Sequence, residues 1–123
     1  MKLRHLVLAA SAAVLSLGLT AAPQIGAPAP DFTVDDEKAD QGRLLYGKQC
    51  GLCHGPNLMA AGAGPDLLRS PIAASFDALV QVVQKGGLRR QGMPPFPEMP
   101  DADLEAIQHY IRRTAREALA DEN

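Results

Sequence analysis

Two cysteines and a histidine, Cys50, Cys53 and His54, form the stretch of this sequence that is best suited to chemistry. The spacing Cys-x-x-Cys-His is that of a c-type haem attachment site. The two thiols can add across the two vinyl groups of a haem, and the thioethers so formed fix the porphyrin to one helical turn. The histidine that follows then lies beneath the iron and supplies the proximal imidazole ligand. The motif therefore predicts one covalently held haem.

Three other kinds of site use similar residues. A thioredoxin-like Cys-x-x-Cys pair belongs to a βαβ unit, and no strand pattern precedes Cys50. A structural zinc site needs four ligands, usually as two pairs, and the chain has two cysteines only. A disulfide between Cys50 and Cys53 suits an oxidising compartment but gives His54 no role. Haem attachment explains all three residues.

The first 22 residues have the three parts of a secretory signal peptide. Lys2 and Arg4 give a positive start, residues 6–19 are apolar or small, and Thr-Ala-Ala at 20–22 predicts cleavage after Ala22. The apolar run is shorter than the ~20 residues that a spanning helix needs, so we expect no stable membrane insertion after cleavage. Because bacterial c-type haem is attached outside the cytoplasm, leader and motif both predict a periplasmic protein.

Charge and composition narrow the class of function. A chain of 123 residues suggests one domain. Loss of Lys2 and Arg4 with the leader would change the formal net charge from −2 to −4, which gives no nucleic-acid signature. Trp is absent, and Phe and Tyr together number five. So few aromatic side chains are easier to understand if a large, flat haem fills the centre.

Residues 23–38 are predicted to be a Pro-rich, acidic arm, and residues 39–123 the domain that positions the haem motif. Prolines at 23, 28 and 30 prevent a regular helix in the arm. The arm is either solvated or docks on a partner subunit. Residues 55–67 contain three glycines and two prolines, which predicts a loop after His54.

Three main helices are predicted around the motif. The first spans about 39–50, with an apolar side of Leu44, Leu45 and Tyr46 and with a glycine at 42 that would let another helix approach. The second begins after a Ser75 cap and ends near Gly86. The third runs from about 101 to 120, and its periodic apolar residues are expected in the core: Leu104, Ile107, Tyr110 and Ile111.

The second axial ligand decides whether the iron exchanges electrons or binds small molecules. Met93 lies 40 residues beyond Cys53, in a proline-stiffened loop and within Gly-Met-Pro, and is the preferred candidate. Met99 shares that loop and is the second choice. Met59 is too close in sequence to His54 to cross comfortably to the other haem face, and His109 is expected to be an exposed helical histidine.

Several motifs, taken together, resemble those of a class I monohaem cytochrome c. They are Gly42-x-x-x-Tyr46-x-x-x-Cys50-x-x-Cys53-His54-Gly55, Gly64-Pro65-Asp66-Leu67, Gly92-Met93-Pro94 and Tyr110-Ile111. The resemblance covers residues 39–115 and implies an all-α, cytochrome c-like fold whose first and last helices cross near Gly42 and Tyr110. It also implies His54 and Met93 as axial ligands, with the Pro65 carbonyl as hydrogen-bond acceptor for His54.

A narrower resemblance concerns residues 86–96, which are similar to the haem domains fused or bound to quinohaemoprotein alcohol dehydrogenases. It rests on Arg89, Arg90 and Met93. The two arginines are expected either to hold the haem propionates or to form a solvated basic patch. Tyr46 and Phe96 complete the expected haem contacts.

These features predict an electron carrier rather than an enzyme. It would be a periplasmic c-type cytochrome that accepts electrons from a dehydrogenase, of the quinoprotein type among others. It would pass them to the respiratory chain through an oxidase or another cytochrome. A haem enzyme or gas sensor with an open or displaceable sixth ligand is the alternative, and a haem-free, disulfide-bearing binding module is a third possibility.

Overall fold

The computed structural model of the protein describes residues 32–60 and 62–121. These residues form helices joined by loops, with no strand among them, so the all-α prediction is confirmed. The proposed leader at 1–22 and the arm up to residue 31 lie outside the described residues. Within the described ranges, no helix is both long enough and apolar enough to span a bilayer.

The described chain contains four α-helices. They are α1 (Asp36–Gln49), α2 (Gly51–His54), α3 (Phe76–Leu79) and α4 (Asp101–Asp121). The last turn of α3 continues as a π-helical turn over Val80–Gln84. Short 3-10 turns cover Pro56–Leu58, Ile72–Ala74 and Arg89–Gln91.

The helix ends show how local sequence sets these boundaries. Asp35 caps α1 by accepting the Lys38 N–H at 3.0 Å, so α1 begins three residues before the predicted start and takes the last residues of the predicted arm into the helix. The Ser75 hydroxyl accepts the Ala78 N–H at 3.3 Å at the start of α3. Gly86 has φ +73°, as expected for a glycine after the last turn.

α1 and α4 form the central helix pair. At Gly42 the two helices come so close that a Cβ would lie 1.9 Å from the Ala106 carbonyl oxygen. One turn further along α1, the Tyr46 and Tyr110 rings meet with their centroids 5.3 Å apart. Only glycine permits this separation, because any side chain at position 42 would occupy the backbone of α4.

Two clusters of buried residues make up the core. The first joins α1 to α4 and contains Tyr46, Leu58, Ala73, Ile107, Tyr110 and Ile111. The second joins α3 and its π-helical turn to α4 through Leu79, Val83 and Leu104. The four apolar positions predicted to face the core on the last helix are all buried. Leu44, predicted on the apolar side of α1, is 57% exposed, because the buried face is formed by Ala39, Gly42 and Tyr46 instead.

The segment 32–35, which precedes α1, packs against α4 of its own chain. The Asp35 N–H donates to His109 Nδ1 at 3.0 Å, and the Phe32 ring lies 5.0 Å from the His109 ring, centroid to centroid. The Arg116 guanidinium donates to the Phe32 carbonyl at 3.0 Å. The prediction of an exposed His109 was therefore wrong, since this segment leaves only 8% of the residue accessible.

Candidate functional site

The cysteine–histidine motif forms α2, a single turn that continues from the end of α1. The Cys50 N–H donates to the Tyr46 carbonyl at 2.8 Å, and the Cys50 carbonyl accepts the N–H groups of Cys53 and His54 at 3.1 and 3.0 Å. Cys53 is exposed, Cys50 is partly buried, and no disulfide joins them. Burial, with the neighbouring Cys53, raises the pKa of the Cys50 thiol to about 11. One rigid turn thus presents both sulfurs and the imidazole.

His54 is buried and its ring is held in one orientation. Its Nδ1 lies 2.9 Å from the Pro65 carbonyl oxygen, which is the partner that the resemblance implies. The loop bearing Pro65 is tied back to the motif because the Gly64 N–H donates to the Cys53 carbonyl at 2.8 Å. A Cβ on Gly64 would lie 2.7 Å from His54 Nδ1, so the close contact between the His54 ring and this loop depends on glycine.

Tyr46 is linked to the Cys-x-x-Cys-His motif by a side-chain hydrogen bond. Its hydroxyl donates to the Gly55 carbonyl at 2.7 Å in a buried hydrogen bond, and burial raises the pKa of its phenol. The bond fixes the residue that follows His54 and ends α2. The structure thus joins Tyr46 to the haem motif through the backbone of Gly55.

The loop from 92 to 100 places Met93 beside the second core cluster. Gly92, with φ +96°, ends the 3-10 turn Arg89–Gln91, and the Met93 N–H donates to the Leu88 carbonyl at 3.3 Å. Met93 and Phe96 are partly buried against Leu79, Val83 and Leu104. Met99 packs against both core clusters, so it joins the two halves of the domain.

The remaining candidates differ in where they lie. Arg89 and Arg90 are exposed on the turn that precedes Met93. Met59 is 60% exposed. His109 faces the segment 32–35 and uses Nδ1 as an acceptor there. The structure therefore brings Cys50, Cys53 and His54 together on α2, and it gathers Met93, Phe96 and Met99 in one loop.

Many hydrophobic side chains around the two core clusters are only partly buried. The second cluster has three buried members, and the hydrophobic residues around it are only partly buried: Ile72, Phe76, Val80, Val82, Met93, Phe96 and Met99. The first cluster is likewise lined by partly buried Leu45, Cys50, Leu67 and Leu68. A core this incomplete in a domain of this size is what a buried apolar cofactor would complete.

A cleft of about 320 Å³ lies between the end of α1, the loop from 92 to 100 and α4. Its lining includes Leu45 and Gln49 from the end of α1, Phe96 and Met99 from the loop, and Ile107 from α4. A second cleft of about 310 Å³ lies beside Arg43, Tyr46 and Tyr110. Gly51 of the Cys-x-x-Cys-His motif lines it, and no residue of the loop from 92 to 100 does. The first cleft thus borders the loop that carries Met93 and the residue before Cys50, but neither His54 nor Met93 lines it.

One residue of the site was missed from the sequence. The Gln84 side chain donates to the Met99 carbonyl at 2.9 Å and to Asp101 at 2.8 Å. A glutamine near the end of a helix is unremarkable in sequence, and the only available signal was the glycine pair at 86 and 87, which marks where that helix stops.

The family comparison matches the haem motif and both long helices together. Residues 37–111 match the family model described as cytochrome c oxidase, cbb3-type, subunit III. The chain belongs to this cytochrome c family. Cytochromes c bind haem and transfer electrons, so the protein is an electron carrier rather than an enzyme.

Individual relatives agree with this membership. The cytochrome is 39% identical over 85 residues to cytochrome c-555 of Methylococcus capsulatus, covering 68% of this chain and 62% of that protein. It is 31% identical over 94 residues to the dehydrogenase subunit of alcohol dehydrogenase (quinone) of Gluconobacter oxydans, or 76% of this chain and 12% of that protein. Quinohemoprotein alcohol dehydrogenase ADH IIB of Pseudomonas putida is 34% identical over 80 residues, 64% of this chain and 11% of the enzyme. The cytochrome thus spans about an eighth or less of these dehydrogenases.

Proposed function

We propose that this cytochrome is a periplasmic one-electron carrier that holds one haem covalently through Cys50 and Cys53, with His54 and Met93 as axial ligands. The observation that supports this best is the contact of His54 Nδ1 with the Pro65 carbonyl at 2.9 Å. A neutral imidazole that donates from Nδ1 presents the lone pair of Nε2 to a metal. The chain thus holds His54 in the tautomer that a proximal ligand requires.

Met93 is the proposed second ligand because its loop is fixed and faces the incomplete core. The Phe96 N–H donates to the Val83 carbonyl at 2.7 Å, which fastens the loop three residues after Met93. A thioether ligand raises the reduction potential of haem above that of a bis-histidine site. We therefore expect a relatively high potential, suited to accepting electrons from a dehydrogenase.

The bound haem supplies a one-electron Fe(III)/Fe(II) couple. Because the fold holds His54 and the Met93 loop, both ligands would stay in place in the two oxidation states, and little reorganisation would accompany electron transfer. Leu52 is 93% exposed, and Cys53 beside it is also exposed. This end of α2 is the proposed contact for redox partners, since small, weak contacts suit a carrier that must release each partner quickly.

A periplasmic dehydrogenase is the proposed electron donor, with the quinoprotein type favoured by the relatives, and an oxidase or a second cytochrome is the proposed acceptor. The relatives of Gluconobacter oxydans and Pseudomonas putida are themselves alcohol dehydrogenases. Each contains a stretch similar to this cytochrome within a much longer chain. The periplasmic location follows from the leader expected at residues 1–22.

An optical spectrum of the reduced, exported protein with and without carbon monoxide tests the proposal. We expect a c-type spectrum that carbon monoxide leaves unchanged, because two strong ligands occupy the iron. Met93→Ala should make the spectrum responsive to carbon monoxide, whereas Met59→Ala should not, since Met59 is 60% exposed. A wild-type spectrum that shifts with carbon monoxide would contradict Met93 ligation and favour a gas sensor or haem enzyme.

A further inference from the structure

The loop that carries Met93 is fastened to the rest of the domain by the side chain of Gln84. Its Nε2 amide group donates to the Met99 carbonyl at 2.9 Å and to an Asp101 carboxylate oxygen at 2.8 Å. A primary amide has two N–H groups, and here the two acceptors are the end of the loop and the first residue of α4. Gln84 therefore joins the π-helical turn that follows α3, the loop and α4 at one point.

The π-helical turn Val80–Gln84 sets the direction of that side chain. The Lys85 N–H donates to the Val80 carbonyl at 3.0 Å, five residues back rather than the four of an α-helix. One additional residue in a turn rotates the positions that follow by about 100° relative to a continuous α-helix. Such single π-helical turns are uncommon and are frequent at functional sites.

Two further contacts hold the same loop against the same turn. The Phe96 N–H donates to the Val83 carbonyl at 2.7 Å, and Gly86 approaches Pro95 so closely that a Cβ would lie 3.2 Å from the Pro95 Cβ. In the sequence, Met93 precedes these contacts and Met99 follows them. The attachment of residues 95–99 thus fixes how far Met93 can reach.

We propose that Gln84 is a positioning residue for the second axial ligand: by holding the Met99 carbonyl it keeps the Met93 thioether at bonding distance from the haem iron. The inference rests on the proposed role of Met93. The competing possibility is that Gln84 only secures the start of α4 through Asp101.

The test compares haem-loaded Gln84→Ala and Gln84→Glu with Gln81→Ala. Gln81 belongs to the same turn and has an exposed side chain, so its variant controls for a general effect on the turn. Gln84→Glu keeps the size of the side chain but replaces the donor by a carboxylate that faces the Met99 carbonyl and Asp101. It therefore tests the hydrogen bonds without opening a cavity.

The readouts are imidazole affinity of the ferric protein, the methionine-to-iron charge-transfer band and the reduction potential. Loss of two hydrogen bonds should weaken retention of the thioether, so imidazole should bind about tenfold more tightly to Gln84→Ala than to the wild type. Gln84→Glu should show at least as large an effect, with a weaker band and a lower potential. Gln81→Ala should match the wild type in all three.

Unchanged imidazole affinity, band and potential in both Gln84 variants would overturn the inference, even if their melting temperatures fall, because the residue would then support the fold alone. This outcome leaves Met93 ligation intact. A wild-type protein that binds carbon monoxide would instead overturn the proposed function and this inference together.

Discussion

At the scale of single residues, the His54 ring has no free space on the side that faces Gly64. A Cβ added to Gly64 would lie 2.7 Å from Nδ1, 2.9 Å from Cε1 and 3.0 Å from the Cys53 carbonyl oxygen. The same ring edge faces the Pro65 carbonyl. Orientation of the proposed proximal ligand therefore depends on a residue with no side chain.

Gly64→Ala should displace the His54 ring and break its hydrogen bond to Pro65. We expect a loss of about 1–3 kcal/mol in unfolding free energy, the usual cost of overpacking a close contact, together with lower haem incorporation. Thermal unfolding and the ratio of haem to protein absorbance measure the two effects. Ala63→Ser, at the exposed neighbouring position, is the control, and equal haem content in both variants would contradict the close contact.

The position of a site residue could be predicted from the sequence where its spacing from the other site residues alone determines that position. The spacing of Cys50, Cys53 and His54 places all three on one turn of any helix. His109 could not be placed in the same way, because its burial comes from the segment 32–35, far away in sequence. Gln84 was missed for the same reason: both of its acceptors lie on the other side of the Met93 loop.

At the scale of helices, the α1–α4 pair determines where the haem motif starts. The helices touch at Gly42, eight residues before Cys50, and α1 leads into the motif through the bond between the Cys50 N–H and the Tyr46 carbonyl. Because α1 leads directly into the motif, a change in the separation of α1 and α4 would also move α2.

Gly42→Ala and Gly47→Ala form a matched pair on α1. The first places a methyl group 1.9 Å from the Ala106 carbonyl oxygen, whereas nothing lies within 4 Å of a Cβ at Gly47. We expect Gly42→Ala to cost about 3 kcal/mol or more and Gly47→Ala to stabilise the protein by about 0.5–1 kcal/mol through helix propensity. Denaturant unfolding measures both, and similar midpoints for the two variants would show that the helices can separate without penalty.

The existence of the main helices and the Ser75 cap were predictable, but the start and the buried face of α1 were not. Hydrophobicity favoured Leu44, which is 57% exposed, over the small residues Ala39 and Gly42. Two helices can approach closely only where the facing side chains are small. A hydrophobicity scale does not record side-chain volume, so it does not identify such positions. The π-helical turn was also unpredictable, since Val80, Val82 and Val83 suit an α-helix equally well by their spacing.

At the scale of the whole molecule, the chain closes on itself where segment 32–35 lies along α4. This segment was predicted as part of a solvated or partner-binding arm, and its described end instead packs on its own domain. His109 is central to the contact. Burial lowers its pKa, and so does the Lys38 ammonium group, whereas Glu105 and Asp35 act in the opposite direction.

This contact predicts a loss of stability in mild acid. Because the folded-state pKa of His109 is below its unfolded value near 6.5, the unfolded state binds the proton more readily. The stabilisation that neutral His109 gives the folded state is complete above pH 6.5. It falls as the pH drops below 6.5 and stops falling once the pH is below the folded-state pKa. The pKa of Asp35 is itself lowered from about 3.8, mainly by the Lys38 N–H, so its own contribution is lost only at lower pH.

Melting temperatures of the wild type and His109→Gln between pH 8 and pH 5 measure this effect. Glutamine retains an acceptor for the Asp35 N–H but does not titrate, so the variant should show a flatter dependence over this range. The other histidine in the described residues, His54, is the proposed iron ligand. Parallel curves for the two proteins would rule out His109 as the source of the acid sensitivity.

The contact at Gly42 also restricts how this protein can recover from mutation. A methyl group at position 42 would collide with the main-chain carbonyl of Ala106 and lie 2.9 Å from the Ile107 nitrogen, and every amino acid carries those atoms. Exchange at 106, even to glycine, cannot relieve the collision. A genetic selection for second-site revertants of Gly42→Ala should therefore return changes that shift the axis of α4, and position 106 should be absent from them.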